Sequence, residues 1–136
     1  MARSATILAD KPQSVVMVVE PDIVVRLAIA DYLRECGYAV VETGNAEESL
    51  IVLESGRSID VVFTEIELPQ MSGFELARVV RARYPGVDVI LTSSPTVSAE
   101  KASDLCDDGP LQKPYDPEEV LQRIKRRRNR GSHKPH

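Results

Sequence analysis

Apolar positions along the chain keep two rhythms that alternate. Val15 to Val19 is a β-branched run broken only by Met17, and it stops at Glu20-Pro21-Asp22, so it reads as a short buried strand with acids at its carboxyl end. Over residues 22–36 the apolar positions fall at Val25, Ala28/Ile29, Tyr32/Leu33 and Cys36, the spacing of a helix with one buried face, and Gly37 supplies a left-handed stop. Residues 38–42 alternate weakly as a second strand. Asn45 then caps a helix running to Ser55, with Ala46, Leu50 and Leu53 on its apolar side.

The same alternation continues through the second half. The stretch from Ile59 to Gly73, IDVVFTEIELPQMSG, delivers an apolar run into Thr64-Glu65, and its Ser72-Gly73 turn opens a helix marked by Phe74, Ala77, Val80 and Tyr84 and closed by Pro85-Gly86. Val87 to Leu91 predicts a fourth buried strand that ends in the hydroxyls of Thr92-Ser93-Ser94. Residues 96–106 predict a helix with little apolar payload, the element expected to be held least firmly. Gly109 to Gln112 predicts a fifth strand leading to Lys113-Pro114-Tyr115. Asp116 caps the last helix, with Pro117 at its first position, Glu118 and Glu119 in its first turn and Val120, Leu121 and Ile124 on its buried face.

Five strand-helix units without an internal repeat imply an α/β fold, a parallel sheet covered by helices on both faces. Right-handed crossovers at this size favour the flavodoxin-like, doubly wound five-stranded order 2-1-3-4-5, whose switch point lies between strands one and three. The expected division is a loose lead-in over residues 1–13, one domain over 14–128 and a basic tail over 129–136.

Charge adds an asymmetry to this picture. The net charge of −4 hides seven Lys/Arg and no acid after residue 122, against ten bases and 21 acids before it. Cys36 and Cys106 sit beside apolar residues without a CxxC spacing, which predicts buried free thiols in a reducing compartment. No stretch has the length and apolarity of a membrane span or signal peptide, so a cytoplasmic location without membrane contact is expected. The tail, RIKRRRNRGSHKPH, lacks interleaved aromatics and follows a helix C-terminus, where cations are favoured anyway. A solvated end is therefore the favoured reading, and nucleic-acid binding the lesser one.

Strands one, three, four and five end in Glu20, Glu65, Thr92 and Lys113, with Pro114 behind the lysine, and Glu65 is followed by Pro69 and Gly73. That ordered set, over about Val15 to Ile124, resembles the receiver domain of two-component response regulators. The resemblance implies a phosphorelay module in which strand-one acids bind Mg2+ and an aspartate ending strand three accepts a phosphoryl group from a histidine kinase. A Ser/Thr on strand four and the strand-five lysine then contact the phosphoryl oxygens, as charge neutralisation of the transferring group requires. Thr92 and Lys113 match that pattern.

Three positions depart from it. Glu65 stands where the family has the acceptor aspartate, and its extra methylene moves the carboxylate by on the order of 1.5 Å, enough to spoil in-line transfer. Pro21 replaces the second acid of the strand-one cluster and offers neither carboxylate nor N–H. Glu20, Asp22 and Glu65 are the acids left to hold a metal, so Mg2+ binding, with Glu20 and Glu65 as ligands, is expected to be weakened. Pro110 occupies the place of the aromatic that turns inward on activation.

Two readings of Glu65 stand side by side: a fixed substitute for the phosphoryl group, paired with Lys113 and Thr92, or a remnant of a lost site. Glu20 is expected to face solvent and Lys113, Asp22 to serve the start of the first helix, and Glu67 to contribute its backbone with its side chain in water. The resulting expectation is a stand-alone, non-enzymatic, atypical receiver acting by protein contacts. Its partner would be a histidine kinase or signalling target, or a second copy, docking on the face of helix 96–106, the fifth strand and the last helix. The alternative is a receiver that still takes phosphate.

Overall fold

The computed structural model describes residues 13–93 and 110–133, side chains of 130–133 excepted. The strands are β1 (Val15–Val19), β2 (Ala39–Thr43), β3 (Val61–Glu65), β4 (Asp88–Ser93) and β5 (Leu111–Gln112); the helices are α1 (Ile23–Glu35), α2 (Ala46–Glu54), α3 (Gly73–Arg83) and α4 (Pro117–His133). All strand pairs are parallel, in the order β2-β1-β3-β4-β5. The expected order holds. The helix expected over 96–106, and Cys106 with it, lie outside the described residues.

The inner strands β1, β3 and β4 are buried on both faces because each face is covered by helices. On one face Met17, Val19, Val62, Val89 and Leu91 pack against Leu53, Phe74, Leu76, Ala77 and Val80 of α2 and α3. On the other, Val16, Val18, Val61, Phe63, Ile90 and Leu111 pack against Ile29 and Leu33 of α1 and Val120 and Ile124 of α4. This second layer positions the site. Side chains alternate faces along a strand, so Glu20, Glu65, Thr92 and Lys113 each stand two residues beyond a member of the layer: Val18, Phe63, Ile90 and Leu111. The polar quartet is the next row of the same face, where the sheet runs out.

Helix starts are fixed by side chains that satisfy free N–H groups. Asp22 accepts from Val24 N and Val25 N at 3.0 and 3.3 Å, and Asn45 accepts from Glu48 N at 2.8 Å. At α3, Ser72 Oγ accepts from Glu75 N at 3.2 Å while Glu75 Oε1 accepts from Ser72 N at 2.9 Å. Gly73 opens α3 against the end of β3, and a Cβ there would stand 2.3 Å from the Glu65 carbonyl oxygen. Glycine is what lets the helix start so close behind the strand.

Three expectations need correction. Cys36 is exposed, not buried, because it is the C-cap residue of α1, one step past the last residue that turns with the helix face. The helical backbone runs on to His133, so residues 129–133 extend α4 rather than forming a separate tail. Glu20 does not face solvent: it is 4% exposed.

Candidate functional site at the carboxyl ends of the strands

Lys113 is the centre of the site. Its ammonium lies 2.6 Å from Glu20 Oε1 and 2.6 Å from Glu65 Oε1, and it is the side chain through which the two acids meet. The other oxygen of each acid turns back on its own loop. Glu20 Oε2 accepts from Asp22 N at 3.0 Å, and Glu65 Oε2 accepts from Glu67 N at 2.8 Å. Both glutamates thus make the same arrangement, one oxygen on the lysine and one on the backbone N–H two residues on.

The pair is deep. Glu65 is 5% exposed and Thr92, its register partner on β4, 1%. Among the described residues, the partners of the Glu65 carboxylate are Lys113 and the Glu67 backbone; the contact anticipated from Thr92 is not one of them. Thr92 instead supplies its carbonyl to Ile66 N at 2.9 Å, which extends the ladder past the site. Burial by itself would lower the Lys113 pKa, but the hydrogen bonds and charges of Glu20 and Glu65 outweigh it, and the net shift is upward.

Above the acids lies an open pocket of about 460 Å3 lined by Glu20, Pro21, Asp22, Glu65, Glu67 and Lys113. Five of its six residues are acids or the lysine named from sequence. Asp22 points away to the α1 N-terminus and Pro21 offers no donor atom from its side chain. Among the described residues, no three His, Cys, Asp or Glu side chains converge as metal ligands.

Two contributors were missed in the sequence. Tyr115 lays its ring edge-on to Phe63, centroids 5.6 Å apart and planes at 78°, and burial together with the charges of Glu20 and Glu65 pushes its phenol well above the usual tyrosine range. Its place directly after Lys113-Pro114 in the sequence was the available signal. Arg26, in the first turn of α1, donates from Nη1 to the Glu20 carbonyl at 2.8 Å. Nothing in its spacing announces this, because the contact depends on how far the β1–α1 loop folds back.

The basic stretch is partly consumed by the fold. Arg128 pairs with Asp88 at 2.9 Å and Asp60 at 3.6 Å, and Arg127 Nη2 donates to the Val89 carbonyl at 3.4 Å, at the opposite end of the sheet from Lys113. Two of the cations counted towards a nucleic-acid reading therefore face protein.

Comparison with known proteins agrees with this geometry. The chain is similar in structure to the signal receiver domain of an HD domain-containing protein from Pseudomonas fluorescens Pf-5, with a TM-score of 0.81 and 23% identity over 89% of this chain and 98% of that one. A response regulator receiver protein from Pseudomonas putida gives a TM-score of 0.75 at 28% identity, covering 85% of this chain and 98% of that one. Among curated proteins, the transcriptional regulatory protein AruR of Pseudomonas aeruginosa is 31% identical over 115 residues, 81% of this chain and 47% of AruR. A cyclic di-GMP phosphodiesterase of Thermotoga maritima is 32% identical over 79 residues, 58% of this chain and 21% of that protein. The chain thus spans about half of the one and about a fifth of the other. The family model for the response regulator receiver domain matches residues 16–125. Fold and sequence converge, and the chain belongs to the response regulator receiver domain family.

Proposed function

We propose that this receiver works without phosphorylation, as a protein-contact module whose site is held closed by its own charges. The observation that carries the reading is the bridging of Glu20 and Glu65 by one ammonium at 2.6 Å from each. In a phosphorylatable receiver the strand-five lysine meets a phosphoryl group only after transfer. Here the Glu65 carboxylate already engages it, so a charge pairing is supplied by the sequence rather than by a kinase. Breaking it to admit a phosphoryl donor would leave two buried carboxylates facing each other, and each unpaired buried charge costs several kcal/mol, on the order of 3–5.

The donor set also disfavours a metal-dependent reaction. A hard cation such as Mg2+ wants several oxygen ligands in octahedral array. Glu20 and Glu65 could contribute only by giving up Lys113 or a backbone N–H, and Pro21 contributes no ligand in compensation. Mg2+ binding is accordingly weak, and no step of the function depends on it.

The partners would be a histidine kinase or another signalling protein. The docking face is the one that includes β5 and α4, which the strand ending at Lys113 joins to the site. Incubation with acetyl phosphate and Mg2+ followed by intact-mass measurement should give no adduct; a stoichiometric gain of about 80 Da would overturn the reading. Glu65→Asp alone should stay largely unmodified, whereas Glu65→Asp with Pro21→Asp should gain an adduct, because only the double variant restores both the shorter acceptor and a metal ligand.

A further inference from the structure

We infer that Arg26 is the positioning residue of Glu20, the side chain that keeps this acid aimed at Lys113. The reason begins with Pro21. A residue before proline is held in an extended conformation, so Glu20 continues the line of β1 beyond its last paired residue, Val19. Its N–H still reaches the Thr43 carbonyl at 3.0 Å, but its own carbonyl has passed the ladder with β3 and precedes the helix, whose first backbone bond runs from Arg26 N to Asp22 O at 2.9 Å. Among the described residues, the partner of that carbonyl is Arg26 Nη1, at 2.8 Å. The guanidinium is a planar fork whose charge is paired: Nε lies 3.5 Å from Glu42 Oε1, an ion pair without hydrogen-bond geometry that leaves the buried Nε–H without a hydrogen-bond partner among the described residues, and Glu42 Oε2 is held by Arg34 at 3.0 Å. Gly44 makes room for it, since a Cβ there would stand 3.2 Å from Nη1.

The chain of contacts therefore runs from the β2 edge through Glu42 and Arg26 to the backbone of Glu20. With the carbonyl held by Arg26 and Oε2 held by Asp22 N, Oε1 is the oxygen turned to Lys113. A lysine at position 26 could not hold both Glu42 and the carbonyl with the same geometry. The inference rests on the geometry of the ion cluster and not on phosphorylation independence: an adduct in the mass measurement would remove that reading and leave the role of Arg26 standing.

The test is a pH titration of the Lys113 Nζ resonance by 15N NMR in the full chain. In the parent protein it should titrate above the other lysines. Arg26→Met keeps the stem, removes the guanidinium, and should lower the midpoint by on the order of half a pH unit. Arg34→Met removes a residue that holds Glu42 but does not touch Glu20, and should move the midpoint by clearly less even where it lowers thermal stability as much. An unmoved midpoint in folded Arg26→Met, or an equal movement in Arg34→Met, overturns the proposal. Should Arg26→Met not fold, Arg26→Lys should move the midpoint in the same direction by less, and no movement there overturns it as well.

Discussion

The two ends of the sheet are each closed by one cation between two carboxylates. At the carboxyl end Lys113 joins Glu20 and Glu65; at the amino end Arg128 joins Asp60 and Asp88. The parts match, but the surroundings do not. The side chains of Glu20 and Glu65 are 6% and 5% exposed, those of Asp60 and Asp88 29% and 28%. Water competes for the carboxylates of the second cluster and reaches the first mainly at Lys113, whose side chain is 24% exposed. A buried cluster is therefore a commitment, in which removal of one member strands the others, while a half-exposed one is an adjustment that solvent can replace. The amino-end cluster also does backbone work: Asp60 accepts from Val15 N at 2.8 Å and the Asp60 carbonyl accepts from Arg128 at 3.3 Å, so it ties the start of β1 to the end of α4.

Single substitutions should break the symmetry in order of burial. Lys113→Met should cost about 3–5 kcal/mol in urea unfolding, since two buried carboxylates lose their shared cation. Adding Glu65→Gln to it should recover part of that loss, and failure to recover any would mean that the charges are not what the lysine was offsetting. Arg128→Met should cost about 1 kcal/mol or less, the discount reflecting its exposure.

The pH dependence separates the ends next. Lys113 has a folded-state pKa raised above its ordinary value of 10.5, so its contribution is complete below about that pH and is lost as pH rises through the folded value. The Tyr115 phenol, raised above 10.0, acts in the same direction, because the unfolded chain releases that proton first. The urea midpoint should therefore fall above about pH 10, and Tyr115→Phe should shallow the fall. Arginine does not titrate there, so the cost of Arg128→Met should not change over the same range. A flat midpoint up to pH 11.5 would show that the Lys113 cluster is not coupled to folding.

Salt gives the smallest effect. Raising NaCl from about 0.1 to 1 M shortens the screening length from roughly 10 to 3 Å, which should shrink the cost of Arg128→Met towards zero and leave that of Lys113→Met nearly as large. Equal shrinkage at both ends would mean that the carboxyl-end cluster is wetter than its burial implies.

The amino-acid sequence by itself determined the order of elements, the parallel sheet, the helix caps at Asp22, Asn45 and Asp116, and the strand ends that carry Glu20, Glu65, Thr92 and Lys113. All of these follow from local rules: period two in strands, period 3.6 in helices, and the few side chains that satisfy a free N–H. The departures at Pro21 and Glu65 were legible for the same reason, as residue types whose atoms do not suit a known chemistry. Only the tertiary structure decided what replaces that chemistry. That one ammonium reaches both acids, that Arg26 holds the carbonyl behind one of them, that Tyr115 rests on Phe63 and that Arg127 and Arg128 turn inward all depend on distances between residues up to 93 positions apart. Sequence spacing carries no information about such distances until the sheet has brought the strand ends to one edge. Burial is likewise a property of the whole packed layer, and it is burial that turns a pair of surface-like acids into a fixed site.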